Sequence, residues 1–257
     1  MAEIFGFEIK RKQETKPNSQ SFTAPTAEDG VQTIMGGGHF GTYLDQEGKI
    51  HNEADLVRRY REVSIHPECD MAIEDIINEA IVVDDKQEVV RLNVNNIPFS
   101  AAVKKRIGEE FENVIRLLEF EQKGHDIFRR WYVDGRIVYH KVIDPKNVKN
   151  GITELRYIDP RKIKKVRAPK SKEGNEFAPK DPNKPGSVEF EEFYIYNEKG
   201  VQAGASSTTG LKIAKDAIAH CVSGLVDQQR NMVLSYLHKA IKPVNQLRMI
   251  EDSVVIY

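Results

Sequence analysis

Cysteine, tryptophan and long apolar runs are scarce in this chain, and each shortage excludes a class of protein. Its 257 residues include two cysteines and one tryptophan. A single distant pair, Cys69 and Cys221, does not make a disulfide framework, so we expect two reduced, buried thiols. No run of 18 apolar residues occurs, which argues against a membrane-spanning helix. The segment MAEIFGFEIKRK lacks the apolar core of a secretory signal, so we expect no such signal.

The net charge is also small, yet the charges are unevenly distributed. The chain has 38 Lys and Arg against 39 Asp and Glu, so its overall charge of −1 predicts no attraction to nucleic acid or anionic lipid. Residues 41–120 carry 10 basic and 17 acidic residues, whereas residues 141–172 carry 11 basic and 3 acidic. The basic stretch is typical of a nucleic-acid surface, or of a face that complements the acidic stretch on the same or a neighbouring subunit. Tyr157 is the single aromatic residue of this stretch. Proteins that bind single strands by stacking bases on aromatic rings usually need more than one.

The motifs of catalysis and cofactor binding give no support for an enzyme. The G-x-G-x-x-G pattern at residues 36–41 lacks the preceding strand and following helix of a dinucleotide site. His66 and Cys69 have ligand-like spacing, but a structural zinc site needs four ligands. His125 and His140 are candidates for an unrecognised hydrolase, yet no accompanying nucleophile is visible. The sequence therefore predicts no catalytic, cofactor-binding or metal-binding residues.

Helix signals dominate the first half of the chain. Asn52 can cap a helix that begins at Glu53, and Pro67 suits the first turn of a second helix with an apolar stripe. Ser100 is expected to cap a long helix that ends at Gly124, because glycine is a common stop residue.

Strand signals dominate the middle of the chain. Alternating apolar residues predict a strand within 82–94, at least in its second half, and Asp134-Gly135 between two β-rich runs predicts a hairpin. Further strands are predicted at 152–158, 163–167, 190–196 and 211–214. A final helical pattern opens at Asn231 and should be kinked or broken at Pro243. Helices, then strands, then a helix predict an α+β fold rather than a doubly wound parallel sheet.

Three segments are expected along the chain. Residues 1–30 are polar and predict a flexible arm, and residues 31–225 form the α+β domain. Within that domain, residues 168–187 contain four prolines and four lysines and predict a mobile loop. Residues 226–257 form the helical end.

Two clusters of cationic and aromatic side chains are candidates for contact between subunits. One lies beside the predicted hairpin and the other lies in the basic stretch, and arginine and tryptophan are enriched at protein interfaces. The candidate residues are Arg129, Arg130, Trp131, Lys162, Lys164, Lys165 and Arg167. The acidic doublet Glu191-Glu192 is expected to lie on a solvated face.

Three long stretches, in the same order, carry more specific information than composition does. They are FRRWYVDGRIVYHKVIDP (128–145), ELRYIDPRKIKKVR (154–167) and SGLVD…YLHKAIKPVNQLRMIEDSVVIY (223–257). With VRRYREVSIHPECDMAIEDIINEAIV (57–82), they resemble the portal protein of T4-like tailed bacteriophages, the head-to-tail connector subunit. The resemblance covers roughly residues 30–257.

The resemblance implies a fold and a function. Portal subunits form a dodecameric ring at one capsid vertex, through which the terminase motor packages double-stranded DNA and from which DNA is later ejected. The ring also nucleates head assembly with scaffold and major capsid proteins and docks the neck and tail. By this resemblance, the domain 31–225 corresponds to the portal wing and 226–257 to the approach to its stem. The chain is then expected to be a partial, non-enzymatic portal subunit of the virion, assembled in the host cytoplasm.

Overall fold

A computed structural model describes residues 50–82, 89–169, 190–200, 210–227 and 232–256, with four two-residue strands nearer the N-terminus. The chain divides into two compact units, Met1–Thr26 with Pro169–Phe190 and Ala27–Ala168 with Glu191–Tyr257. In the first unit the structure describes an antiparallel pair of short strands. The predicted arm lies outside the described residues apart from that pair, and so does the predicted loop 168–187 from residue 170 onward.

Helices precede most of the strands in the described part of the second unit. The helices are α1 (Glu53–Ser64), α2 (Pro67–Ala80), α3 (Ala101–Leu118), α4 (Phe120–Asp134) and α5 (Ile241–Ile256). The strands among the described residues of both units are β1 (Glu3–Ile4), β2 (Phe7–Glu8), β3 (Gln32–Thr33), β4 (Tyr43–Leu44), β5 (Ile50–His51), β6 (Arg136–Ile143), β7 (Ile152–Ile158), β8 (Ile163–Pro169), β9 (Phe190–Tyr196), β10 (Leu211–Ala214) and β11 (Ile218–Val222). This order confirms the predicted α+β fold. None of the described helices is long and apolar enough to cross a membrane.

The first two helices begin where their capping residues predict. The side chain of Asn52 accepts a hydrogen bond of 2.7 Å from the backbone N–H of Asp55, and Pro67 occupies the first turn of α2. A helical core forms where α1, α2 and α4 meet the segment that precedes α5. Its buried members are Leu56, Tyr60, Ile73, Ile77, Val133, Met232 and Leu237. Ile76 of α2 remains 39% exposed, so the core covers the apolar stripe of this helix only in part.

The single long helix expected from Ser100 to Gly124 is instead two helices, α3 and α4, and the second ends beyond Gly124. α3 ends at Leu118 because Glu119 adopts a left-handed conformation with φ of 49°. α4 then passes through Gly124, which was expected to be the stop, and ends at Asp134. Residues 128–134 are helical, so the hairpin predicted at Asp134-Gly135 is wrong.

Gly135 makes the turn from helix into strand instead. Its φ of 71° places it in the left-handed region that ends many helices, and its N–H donates to the carbonyl of Trp131. A Cβ at this position would lie 2.7 Å from the carbonyl oxygen of Leu234 and 2.8 Å from the Cα of Ser235. The junction is thus both conformationally restricted and closely packed, and β6 starts at the next residue.

Two sheets share the second core. The first has the order β11-β6-β7, all antiparallel, and Val138 of β6 lies opposite Ile158 of β7 and His220 of β11. The second has the order β10-β9-β8-β3, with β3 parallel to β8 and β10 antiparallel to β9. Their common core consists of Val138, Ile163, Tyr194 and Ile218. The four strands predicted between 152 and 214 are confirmed, whereas β11 was missed.

Two other expectations need correction. The strand predicted toward Val94 is wrong, because residues 89–100 form turns and irregular backbone; residues 83–88 lie outside the described residues. The final helical pattern starts later than Asn231, with a 3₁₀ helix at Tyr236–Ala240. The interruption expected near Pro243 is a change from 3₁₀ to α-helix at Ile241, which places Pro243 in the first turn of α5, where its missing N–H costs little.

The junction predicts opposite responses of two glycines to the same substitution. Gly135→Ala should lower the free energy of unfolding by about 2 kcal/mol or more, because alanine must adopt positive φ against backbone atoms. Gly108→Ala, within α3 and with nothing within 4 Å of the added Cβ, should raise it by about 1 kcal/mol. Urea unfolding of both variants measures the difference. Equal effects would contradict the close packing at Gly135.

Candidate functional site

The arginine and tryptophan cluster lies on the last turns of α4 rather than beside a hairpin. Arg129 donates to Asp70 and Glu74 and thereby ties α4 to α2. Arg130 pairs with Asp126 at 2.7 Å, and its guanidinium lies 4.8 Å from the ring centroid of Tyr157 in β7. The guanidinium–ring distance is typical of a cation–π contact. These two neighbours therefore connect α4 to different elements.

Trp131 belongs to an aromatic cluster instead of an open surface. Its ring lies 5.5 Å from the rings of Phe128 and Tyr236, and Tyr132 stacks on Tyr236 at 5.1 Å. Ring pairs at these separations add to the energy of apolar burial. The cluster fastens α4 to the 3₁₀ helix that precedes α5.

An open cleft of about 390 Å³ lies between α1, the end of α4 and β7, and we call it the α4 cleft. It is lined by Arg61, Ser64, Asp126, Arg129, Arg130, Val133, Asp134, Tyr157 and Asp159. Three arginines therefore face three aspartates. Burial raises the pKa of the Tyr157 phenol to about 12, so this hydroxyl stays protonated at neutral pH.

Arg61 holds the base of the α4 cleft together. Its guanidinium donates to both carboxylate oxygens of Asp134, at 2.9 and 2.7 Å, and to Asp159 at 3.1 Å. Asp134 is 2% exposed, so its carboxylate contacts this bidentate partner instead of solvent. Burial opposes ionisation of Asp159, but hydrogen bonds from Arg161 and Arg61 hold its pKa well below the usual range.

The chemistry of the α4 cleft follows from these states. Arginine does not release its proton near neutral pH, and Asp159 stays ionised there. Arg61 and Asp159 therefore form an ion pair at neutral pH, beside the protonated phenol of Tyr157. Among the described residues, no group of three or more His, Cys, Asp or Glu side chains could hold a metal ion.

The basic stretch is largely turned inward along β8. Lys164, Lys165 and Arg167 are each only 6–7% exposed. Glu192 of β9 receives a hydrogen bond of 3.1 Å from Nε of Arg167, and its carboxylate lies 3.5 Å from Nζ of Lys165. Lys215 adds a third cation at 2.7 Å. The block that suggested a charged surface thus contributes three buried cations to the sheet.

Glu192 is the centre of this cation cluster. Burial opposes its ionisation, but hydrogen bonds from Lys215 and Arg167 and the charge of Lys165 outweigh burial and lower its pKa to about 2. The expectation that Glu191-Glu192 is a solvated doublet is wrong for Glu192, whose side chain is 20% exposed. Glu191 is half-exposed and pairs with Lys212 at 3.0 Å.

A second buried ion pair lies between α1 and β6. Nη1 of Arg136 donates to Glu53 at 2.7 Å, and its Nη2 donates to the carbonyl of Val233. Nearby, burial lowers the pKa of Lys164 to about 8; Glu53 raises it in part and Arg136 lowers it further. Lys162 differs from its neighbours, because it is partly exposed and pairs with Glu198 at 3.2 Å.

The candidate residues do not form one continuous site. Arg129 and Arg130 line the α4 cleft, whereas Lys164 and Lys165 line a narrow polar cavity inside the sheets. Sequence reasoning found the cations but missed their acidic partners. For Glu192 a signal was present, because adjacent residues of a strand point to opposite faces and only one of a doublet can face solvent. The expected burial of both cysteines is also corrected, since Cys221 is exposed and Cys69 is half-buried.

Comparison with known proteins gives one consistent family. The family described as "Bacteriophage T4-like portal protein (Gp20)" matches residues 53–257. The chain is 36% identical over 256 residues to the portal protein of Vibrio phage KVP40, covering 93% of this chain and 48% of that protein. It is 29% identical over 247 residues to the portal protein of Salmonella phage ViI, covering 90% of this chain and 42% of that protein. The chain thus spans less than half the length of these relatives.

The buried ion pair at the base of the α4 cleft predicts a large loss of stability when one partner is removed. Asp134→Asn should lower the free energy of unfolding by about 3 kcal/mol, because the new amide at this buried position turns an N–H donor toward the Arg61 guanidinium in place of a carboxylate oxygen. Asp126→Asn on the same helix is the matched control, since Asp126 is 54% exposed and should cost less than about 0.5 kcal/mol. Denaturant unfolding gives both values. A similar loss of unfolding free energy in the two variants would show that the Arg61–Asp134 pair contributes no more to stability than an exposed ion pair.

The lowered pKa of Lys164 predicts that stability changes between pH 8 and pH 10. In this window the unfolded chain binds more protons at Lys164 than the folded chain does, so the free energy of unfolding rises with pH. The rise should approach about 1.4 kcal/mol per pH unit and should be absent from Lys164→Met. Because other groups titrate nearby, the difference between wild type and variant is the quantity to measure. Lys212→Met, at an exposed site, is the control that should keep the rise.

Proposed function

Because the chain belongs to the family of T4-like bacteriophage portal proteins, we propose that it is a structural subunit of the ring at one capsid vertex. DNA is packaged and ejected through this ring, which also nucleates head assembly and joins head to tail. The observation that carries the proposal is the family match over residues 53–257. In this role the subunit positions other components and performs no catalysis of its own.

The proposed partners follow from that role. They are eleven further copies of the subunit, the terminase large subunit, scaffold and major capsid proteins, and neck and tail proteins, with double-stranded DNA passing through the ring. The proposed location is the portal vertex of the virion, after assembly in the host cytoplasm. Within the chain, the wing-like domain 31–225 and the helical approach 226–257 are assigned as parts of this subunit.

An apolar stripe along α5 supports assembly with other copies. Val244, Leu247, Ile250 and Val254 lie on one face of the helix, and their exposed fractions increase along it from 8% to 36%, 60% and 71%. The first of these residues packs against the body of the domain, and the later ones lie beyond it. An apolar stripe that extends beyond the residues packed against it is typical of a contact with another chain.

α3 gives a second, independent indication. Its apolar residues recur at helical spacing, yet no residue of this 18-residue helix is buried. Val103 and Val114 are 43% and 41% exposed, and Phe99 just before the helix is 54% exposed. Two different apolar faces on one subunit suit the head-to-tail contacts that close a ring.

The charged candidates contribute unequally to the proposed subunit contact. Arg130 and Lys162 are accessible from outside the subunit, since their side chains are 44% and 37% exposed. Lys164, Lys165 and Arg167 are buried, so we assign them to holding the sheet that presents this surface. In the proposed contact between subunits, the acidic stretch 41–120 of one copy would then pair only with the exposed side chains of the basic stretch of its neighbour.

The alternative of a nucleic-acid-binding module has less support. A phosphate-binding surface needs accessible cations, and its affinity falls steeply with salt. In the basic stretch, Arg156 pairs with Glu154, Arg161 with Asp159 and Lys162 with Glu198. With Lys164, Lys165 and Arg167 buried, six of the eleven basic residues of this block are paired or buried within the subunit.

The assembly proposal predicts that a charge on α5 weakens association. Light scattering after size exclusion should give a mass many times 29.3 kDa for the wild type. Ile250→Asp should weaken association at least about tenfold, because the contact would then desolvate an unpaired carboxylate. Val148→Asp, at an equally exposed apolar residue on a 3₁₀ turn, is the control and should assemble normally.

Two results would count against parts of this proposal separately. A wild type that assembles together with a fully assembling Ile250→Asp would reject α5 as the contact but retain the oligomer. A wild type that remains at 29.3 kDa at every concentration and salt would reject self-association through the described faces. Circular dichroism of each variant ensures that a loss of assembly is not a loss of fold.

A further inference from the structure

The bend between α3 and α4 depends on one residue in a conformation that its side chain disfavours. Glu119 has φ of 49° and ψ of 43°, and among the described residues it is the one residue other than glycine with a positive φ. Left-handed backbone is unfavourable for a residue with a Cβ, and helices that end in this way usually do so at glycine or asparagine. Glutamate itself prefers a helix, so the bend is imposed on Glu119 by its surroundings.

The sequence around the bend favours an uninterrupted helix. Residues 116–123 read RLLEFEQK, in which leucine, glutamate, glutamine and lysine are good helix formers. The segment contains no glycine, proline, asparagine or serine. Glu119 and Lys123 also pair at 2.8 Å, in the spacing of four residues that supports a helix. Local preference and observed backbone therefore disagree at a single residue.

The packing that holds α3 in the bent arrangement is incomplete. α3 contacts α4 and β7, but none of its 18 residues is buried. Its best covered large apolar side chains, among them Ile107, Phe111 and Ile115, are only half-buried. A strained backbone persists where the surrounding structure over-determines it. Incomplete packing around α3 therefore leaves a second arrangement close in free energy.

We propose that Glu119 is a hinge, and that α3 and α4 exchange between the bent arrangement and one continuous helix over residues 101–134. Straightening relieves the left-handed backbone of Glu119 but uncovers the half-buried apolar side chains of α3. Isolated subunits therefore favour the bent form, and a neighbouring copy that covers these side chains selects the straight form. Selection by a neighbour rests on the proposed assembly of the subunit, whereas the hinge does not.

Pulsed electron paramagnetic resonance with spin labels at Lys105→Cys and Asp126→Cys distinguishes the two forms. Both positions are exposed, and Cys69 and Cys221 are replaced by serine in this background. In a continuous helix the two Cα atoms are about 32 Å apart, and a bend at Glu119 shortens this distance. Excess unlabelled chain restricts the measurement to distances within one subunit. Isolated subunits should show mainly the shorter distance, and assembly should increase the longer fraction at least about threefold.

Three variants separate a hinge from general loosening of the helices. Glu119→Val should raise the ratio of straight to bent form at least about tenfold, because a β-branched residue is strongly disfavoured in the left-handed region. Glu119→Gly should lower this ratio about tenfold, because glycine accepts the bend and weakens a helix interior. Glu121→Val, an exposed position in the first turn of α4, is the control and should leave the ratio unchanged.

The outcomes test the hinge and the assembly separately. The hinge is overturned if Glu119→Val keeps the wild-type distances, or if Glu121→Val changes them as much. Should Glu119→Val not fold, the absence of the longer distance from the wild type, isolated and assembled, overturns the hinge as well. A wild type that assembles with unchanged distances overturns selection by a neighbour. A wild type that never assembles contradicts the proposed function instead, and the three variants then decide the hinge alone.

Discussion

The pairing of Arg61 with Asp134 is the interaction on which the arrangement of helices and sheets most depends. Asp134 is the last residue of α4, Gly135 turns the chain, and β6 begins at Arg136, so one short junction orients the helical layer against both sheets. Arg61 fixes this junction from α1, and Arg136 reaches back to Glu53 at the start of the same helix. Breaking such pairs is costly where the remaining charge stays buried, as Arg136 would without Glu53 and Asp134 would without Arg61.

These buried pairs also explain how a polar chain makes a folded domain. Apolar residues make up 40% of the sequence and charged residues 30%, so two separate cores, one helical and one between the sheets, are each small. Carboxylates that each hold more than one cation add to these cores, as Asp159 does for Arg61 and Arg161 and as Glu192 does for Lys165, Arg167 and Lys215. Such a cluster neutralises charge inside the subunit that composition alone would place on its surface.

Local sequence patterns predicted several strands and helix starts, and they failed where contacts with residues distant in sequence are involved. β9 and β10 have the predicted bounds because strand alternation is contained in the segment itself. Asp134-Gly135 could close a hairpin or end a helix, and the side chain of Asp134 at the helix end pairs with Arg61, 73 residues away in sequence, which no local pattern indicates. The candidate site failed similarly: the cations of β8 were visible, but Lys165 and Arg167 pair with Glu192 on a neighbouring strand, which no spacing rule connects to them.

The location of the charges changes which interaction we expect to hold subunits together, from ion pairs to apolar burial. Opposite charge blocks on one chain suggested that subunits attract through ion pairs, but much of the basic block is used within the subunit. Among the described residues, the later part of the α5 stripe and the apolar residues of α3 remain incompletely covered. Apolar burial is non-directional and little screened by salt, whereas exposed ion pairs weaken as salt rises. We therefore expect association of this subunit to persist at high ionic strength, with exposed residues such as Arg130 and Lys162 setting orientation more than affinity.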